Sequence, residues 1–375
     1  MNKPINKLAF CLAAFSCFSQ TAKAASPAPA RLDEVVVRGE ITEPSAETFD
    51  KTVLSPEMTH APISASLLTY DQISRLPYTT YGDLFQAVPG VEVNRYDQGG
   101  VPYGISLRGF DSGGHGKQVA HWRDGFPLND VATMEPGVAD LFLIIPQTLE
   151  SVEVTRGPWN PRYGNYNLGG SVTYKTRDYV PSGLYLTAGT YDTYRALPIF
   201  GFRTGEIEGY SALLASTQGG YRENSYLDEI NSFSKVAFPM LDGRGAVALQ
   251  IYSSDGGAPG YVSRTGVQTG VVDPKTAVNP TDGSASGKQN LTFNYESTQD
   301  NGEFGFDLYA ANADFKRWAS FGGPANQSFR NFKWQTIGGR TEKYLTFDLP
   351  REMEGDVLFG FETRADFADV IRYNT

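Results

Sequence analysis

Cysteine is nearly missing from this 375-residue chain: Cys11 and Cys17 are the two present, and both lie in a leader that the mature protein is expected to lose. The mature chain then has none, which excludes disulfides and cysteine-ligated metal sites. Histidine is almost as scarce. His60, His115 and His121 show no zinc-type spacing with any cysteine partner and read as solvated loop residues. Basic charge is also short, since 32 Lys and Arg face 42 Asp and Glu for a formal net charge of −10. An acidic chain repels polyanions, so nucleic acid is not expected as a partner. Past the leader no apolar run is longer than Leu141 to Ile145, far below the about 20 residues of a spanning helix. Catalytic motifs are missing too. Gly113 to Gln118 faintly resembles a phosphate loop, but Asp111 stands where its first glycine belongs and Gln118 replaces Ser or Thr. There is no G-x-S-x-G elbow either. The expectation is a protein that is not an enzyme and carries no cofactor and no metal.

What is present begins with residues 1–24. Lys3 and Lys7 lead, Leu8 to Phe18 is apolar except for Ser16, and Ala22-Lys23-Ala24 closes the segment. That order reads as a secretory signal peptide cleaved after Ala24, not a membrane anchor. Losing Lys3, Lys7 and Lys23 with it takes the formal charge from −10 to −13. An exported chain without a spanning helix is either soluble in the periplasm or an outer-membrane barrel. With 21 Tyr, 23 Phe and 40 Gly at a mean hydropathy of −0.33, the composition favours the barrel.

Beyond Pro181 the pattern supports that choice. Leu291, Phe293 and Tyr295 alternate with Asn290, Thr292, Asn294 and Glu296, and Phe304, Phe306 and Leu308 with Glu303, Gly305 and Asp307. Such period-2 runs give strands with one apolar and one wetter face. Nine strands are expected, near 183–190, 195–204, 207–218, 230–239, 244–253, 288–297, 302–314, 336–348 and 355–370. Short connections (203–206, 240–243, 298–302) alternate with long ones (219–229, 254–287, 316–333), as periplasmic turns and outer loops do. A charge on the lipid face at mid-depth costs about 2–4 kcal/mol. Glu362, Arg364 and Asp366 are therefore assigned to the lumen or the strand ends. Trp318, Phe321 and Trp334, in or beside a long loop, are assigned to an interfacial aromatic girdle, with the lining of the outer mouth as the alternative.

The stretch Ser151 to Arg177, SVEVTRGPWNPRYGNYNLGGSVTYKTR, organises the N-terminal half. Alternation at Val152-Val154 and Val172-Tyr174, separated by Gly, Pro, Asn and Tyr, reads as two strands and a tight loop. It also resembles the end of the plug domain of TonB-dependent outer-membrane receptors, through Val152, Glu153, Val154, Arg156, Gly157, Pro158, Tyr163, Gly164, Gly169, Gly170 and Thr176. Upstream, Asp83, Leu84, Phe85, Pro89, Gly90 and Val91, then Leu107-Arg108-Gly109, then Asp124, Gly125, Pro127 and Asn129 extend the resemblance over residues 62–177. Asn167, Leu168, Trp122 and Tyr166 depart from the pattern and bear on local packing.

The resemblance implies an α+β plug domain inside a transmembrane antiparallel β-barrel, with about nine of roughly 22 strands present. The division is a signal peptide at 1–24, a leader and linker at 25–61, a plug at 62–180 and a partial barrel at 181–375. Nine antiparallel strands do not close a bacterial barrel, so the chain reads as the N-terminal part of a longer receptor. Asp33, Glu34, Val35, Val36 and Val37 resemble the box that such receptors offer as an added strand to the periplasmic TonB protein. Tyr96, Asp97, Gln98 and Tyr103 would face an extracellular small-molecule ligand with aromatic surfaces and hydrogen bonds. Arg108 and Arg156 would contact acidic residues of the barrel wall. The implied activity is TonB-dependent uptake of a scarce solute, an iron-siderophore complex first, with a vitamin, haem, another metal chelate or a saccharide as alternatives. The rival class is a non-transporting surface protein or a defective fragment. Outer-membrane lipid is the expected surround.

Overall fold

The computed structural model describes residues 64–374 apart from 77–79, 87, 300–301, 321–325 and 350–352. The expected signal peptide, the Asp33–Val37 segment, His60 and Phe321 lie outside the described residues.

Strand β1 (Ser64–Thr69) runs directly into helix α1 (Tyr70–Arg75). Thr69 and Gln72 form a capping box in which the Thr69 backbone N–H donates to Gln72 Oε1 at 2.9 Å. The second expected helix is a 3-10 turn, Tyr81–Phe85, opened by the Thr80 N–H donating to Asp83 Oδ2 at 2.9 Å. Strands β2 (Val91–Asn94) and β3 (Gly104–Leu107) pair with each other alone. After them come β4 (Val119–Arg123), β5 (Phe126–Pro127), β6 (Leu149–Arg156) and β7 (Gly170–Thr176). These join β1 in a sheet of order β1-β6-β7-β4-β5, antiparallel except for the parallel β4–β7 pair.

The two strands read from Ser151 to Arg177 are β6 and β7, and the paired glycines between them have a steric cause. Gly170 holds φ at +135°, and a Cβ there would stand 2.1 Å from Thr155 O. One on Gly169 would stand 2.8 Å from Phe110 Cβ. Leu84, Leu107, Val119, Val152, Val154 and Val172 fill the core beneath this sheet.

A second sheet holds all nine strands expected after Pro181: β8 (Gly183–Gly189), β9 (Thr193–Thr204), β10 (Ile207–Gln218), β11 (Leu227–Met240), β12 (Gly243–Gly257), β13 (Gly283–Gln299), β14 (Gly302–Ser320), β15 (Gln327–Leu349) and β16 (Met353–Asn374). Each pairs antiparallel with its sequence neighbours, and the sheet's described edges are β8 and β16. The long strands shorten the long connections, one of them most: the sequence pattern places a loop at 316–333, but β14 runs on to Ser320 and β15 begins at Gln327. The connection expected at 254–287 narrows to 258–282, carries the short helix α2 (Arg264–Gln268), and is pinned by Arg222 donating to Thr276 O at 2.6 Å.

The alternation resolves into two faces. On β12, Val247, Leu249 and Ile251 are exposed while Ala248, Gln250 and Tyr252 are buried against the first sheet's domain. Arg364 and Asp366 pair at 2.9 Å on the inner face, where Arg364 also donates to Asn129 O. Trp318 packs outward on Phe329 with ring centroids 5.1 Å apart, consistent with a girdle position. Trp334 corrects that assignment. It is buried on the inner face, with Lys288 Nζ 5.2 Å from its ring centre.

Candidate functional site

The four residues expected to meet a ligand separate in the structure. Tyr103 is core: its ring lies 5.2 Å from Tyr81 and 5.6 Å from Phe142, and its N–H donates to the Tyr81 hydroxyl at 2.6 Å. Gln98 is buried as well, because its amide oxygen accepts from Gly260 N at 2.9 Å and its backbone oxygen accepts from Arg317 at 2.9 Å. Both are therefore committed to packing and to the wall. Tyr96 and Asp97 keep open surface, Asp97 at φ +49° in the turn that also presents Tyr96. Tyr96 packs on His115 with ring centroids 4.4 Å apart and planes tilted by 38°, and its hydroxyl donates to Gly114 O. Burial, then Asp111 and Tyr261, push that hydroxyl up to about 12. Burial pushes His115 down, so its imidazole is neutral near pH 7. His115 Nδ1 and Arg317 Nε have no described protein partner, leaving a ring, an imidazole and a guanidinium edge together at the end that bears the long connections.

Between the first domain and the nine-stranded wall runs a set of buried polar ties. Lys288 on β13 reaches Asp130 Oδ2 at 2.5 Å and Asp140 Oδ2 at 3.2 Å. Arg123, at the end of β4, donates to Gln250 Oε1 at 2.6 Å. Gln250 Nε2 in turn donates to Leu143 O at 2.6 Å and to Asn231 Oδ1 at 2.8 Å, and Asn231 donates to Phe142 O at 3.0 Å. Lower down, Lys235 meets Asp178 at 2.9 Å and Thr176 O at 3.0 Å, and Asn294 donates to Asp124 O at 2.7 Å. Arg162 pairs with Glu342 across the same boundary.

Arg108 and Arg156 are not among these ties. Arg156 donates through Nε to Pro89 O at 2.9 Å and through a terminal nitrogen to Ser66 Oγ at 2.8 Å, stapling β1 to the 88–90 turn of its own domain. Arg108, at φ +50°, is exposed. Most of the described cross-boundary cations come from the other side: Lys235, Lys288 and Arg364 project inward from the wall, with Arg123 and Arg162 going outward. Inward-facing polar positions on β11 to β13 were not singled out from the sequence, although the assignment of Leu291 and Phe293 to the outer face already puts Lys288, Asn290 and Thr292 on the inner one.

Residues 57–171 match the family model described as the TonB-dependent receptor plug domain. That segment is a TonB-dependent receptor plug, and the comparisons support a TonB-dependent outer-membrane receptor. It is 36% identical over 113 residues to the vitamin B12 transporter BtuB of Vibrio vulnificus, covering 30% of this chain and 17% of that protein. It is 32% identical over 123 residues to the iron-regulated outer membrane virulence protein of Vibrio cholerae, covering 32% and 18%. Among solved structures, the unliganded ferric citrate transporter FecA superposes with a TM-score of 0.71 at 15% identity, over 83% of this chain and 48% of that one. The ferric yersiniabactin uptake receptor FyuA from Yersinia pestis gives 0.69 at 16%, over 84% and 50%. The chain thus spans less than a fifth of the curated relatives it matches and about half of the solved chains. The described sheet is a partial barrel wall around the receptor plug.

Two buried titratable groups of the receptor plug are structural. His121 corrects the solvated-loop reading: it sits on β4 at 1% exposure with Nδ1 3.2 Å from the Tyr174 hydroxyl, and burial lowers it to about 3, so it stays neutral. Glu153 accepts from the Thr155 hydroxyl at 2.8 Å, yet burial outweighs that bond and raises it from 4.5 to about 7. An unfolded chain ionises this carboxyl near pH 4.5 while the folded plug holds its proton, so its contribution to stability falls as pH climbs through that window and levels off above about 7. Glu153→Gln cannot ionise. It is expected to raise plug unfolding free energy by about 1–3 kcal/mol at pH 8 and by almost nothing at pH 4. Denaturant titrations at the two pH values check this, and an equal gain at both would contradict it.

Proposed function

We propose that this receptor takes up a scarce extracellular solute across the outer membrane, with TonB drawing on the Asp33–Val37 segment from the periplasm. The observation that carries the reading is the plug match over residues 57–171, joined to the buried polar ties between that plug and its wall. An iron-siderophore complex is the solute class we favour. Proteins named for ferric citrate and ferric yersiniabactin uptake share the fold, which supports iron chelates as a starting panel. Tyr96 and Asp97, with His115 beside them, are the proposed first contacts: an aromatic face, a carboxylate and a neutral imidazole suit a polar chelate better than an apolar molecule.

Uptake of labelled ferric chelates by energised cells, run beside equilibrium binding to the purified receptor, tests the proposal. At least one chelate is expected to bind and to accumulate only while the proton-motive force is intact. Tyr96→Ala is expected to weaken that binding about tenfold, near 1.4 kcal/mol. Absence of energised uptake for every chelate, cobalamin and haem tried would overturn the transport reading.

A further inference from the structure

The outer end of the wall carries a row of like charge. Pairing across four strands puts Ser284 of β13 opposite Arg317 of β14, Arg317 opposite Arg330 of β15, and Arg330 opposite Arg372 of β16. Directly opposed residues share a face of the sheet, with Cβ atoms about 5 Å apart. Here the face is the inner one. Arg317 and Arg330 have the strand parity of Phe315 and Phe332, which cluster with Ala132 of the plug, and the Arg372 guanidinium lies 5.7 Å from the Phe332 ring centre. Trp318, Phe329 and Tyr373 take the outer face beside them. The row starts at the plug apex. Gly100 N donates to Ser284 Oγ at 3.0 Å and Arg317 donates to Gln98 O at 2.9 Å, so the guanidinium groups run sideways from the turn that presents Tyr96 and Asp97.

Like charges directly opposite one another weaken a sheet, so such a row calls for anions. Its own wall supplies few. The inner row beneath is Phe315, Phe332 and Val370, and Ala319 and Ser328 stand above Arg317 and Arg330. Asp282 attracts Arg317 from the end of the 258–282 connection, but its oxygens already accept from Ser320 N at 2.8 Å, Ser320 Oγ at 2.9 Å and Gln327 Nε2 at 2.8 Å. On the plug side, Asp111 accepts from the N–H groups of Gly116 and Lys117, and Glu135 pairs with the Lys117 ammonium. Arg317, 8% exposed, keeps an Nε with no hydrogen-bond partner among the described residues. A buried donor in that state is met by a ligand or by water. Arg330 is half-buried and Arg372 is exposed, which leaves both open to the outer mouth.

We propose that Arg330 and Arg372, with Arg317 fixed behind them, form an oxyanion site on the inner face of the barrel mouth, and that the solute taken up presents carboxylate or phosphate groups to it. A planar guanidinium fork meets such groups with two parallel hydrogen bonds, which a lone ammonium does not. The Phe315–Phe332 pair floors the site on its inward side. Asp97, exposed on the plug side, turns the anionic groups toward the wall. Facing inward, the row is turned away from the phosphates of the surrounding lipid. The charge class of the solute rests on the uptake reading; the oxyanion site does not.

Citrate and inorganic phosphate are the probes, titrated calorimetrically into the purified receptor at low salt. Both are expected to bind, citrate more tightly, and added salt should weaken both. Arg330→Gln combined with Arg372→Gln is expected to weaken citrate about tenfold or more, the loss of charge-assisted hydrogen bonds. Lys316→Gln, on the outer face with Trp318, should leave citrate binding unchanged. Heat-modifiable mobility checks folding, and the double variant should melt no lower than the native receptor, since it removes like-charge repulsion. Absence of citrate binding by the native receptor, or binding that the double variant keeps, would overturn the site. In energised cells, the ferric chelates that accumulate are expected to be those of net negative charge, and the double variant should cut their uptake about tenfold. Accumulation confined to a neutral or cationic chelate and untouched by the double variant would overturn the charge class while uptake stands. Citrate binding that the double variant loses, in a receptor that accumulates nothing, would leave the oxyanion site standing and refute the transport reading alone.

Discussion

Lys288→Met is expected to weaken the seating of the plug by about 3–5 kcal/mol, the cost of breaking a buried ion pair from one side. Lys288 is 5% exposed in its side chain and spans two carboxylates, Asp130 at 2.5 Å and Asp140 at 3.2 Å, whose side chains are 14% and 4% exposed. Methionine fills nearly the same volume but leaves both buried carboxylates without the ammonium that bridges them. The damage spreads, because Asp140 also accepts from Phe142 N at 3.2 Å and so caps the 3-10 turn Leu141–Leu143. That turn's carbonyls are the ones that Asn231 and Gln250 hold from the wall. Adding Asp130→Asn and Asp140→Asn to the methionine variant should recover much of the loss, since the charges to be compensated are then gone. Protease susceptibility of the plug across a denaturant series measures both effects. A single variant within about 1 kcal/mol of the native protein, or a triple variant no better than the single, would contradict this assignment of the tie.

Much of this architecture is legible in the chain. Period-2 alternation located all nine barrel strands, because a wall with lipid outside and a wet interior repeats the same demand at every second residue. Turn formers and the Gly169-Gly170 pair located β6 and β7, and the structure supplies the reason, since neither glycine has room for a Cβ. Strand ends were less legible: nothing local in 316–320 or 327–335 separates a long strand from a polar loop, and pairing across β14 and β15 decides it. The site was read less well. Tyr103 and Gln98 look from sequence like neighbours of Tyr96 in one apical loop, yet Tyr103 turns into the Tyr81–Phe142 cluster and Gln98 is claimed by Gly260 and Arg317, residues more than 150 positions away. Arg156 shows the same gap. Its motif is plain in sequence, while its partners, Pro89 O and Ser66, depend on how β1 and the 88–90 turn pack around it. Parity alone would have flagged Lys288 as an inward charge, but not which carboxylates it meets.

The largest effect expected anywhere in the chain comes from five residues outside the described fold. Deleting Asp33–Val37 should abolish energised uptake, a loss of at least about a hundredfold, without changing how tightly the receptor binds its solute. The reason is the division of labour proposed above: binding would draw on the plug apex and the loops around it, whereas moving the plug would take work delivered through residues 33–37 by strand addition to a partner. β1, the first described strand, lies downstream of that segment and is fastened by its six-residue pairing with β6 and by Arg156 at Ser66, so a pull on the leader is resisted first there. Equilibrium binding and energised accumulation, measured on the same cells with and without residues 33–37, separate the two functions. Unchanged binding with accumulation at the level of de-energised cells is the predicted result; accumulation that survives the deletion would contradict the coupling role of the segment.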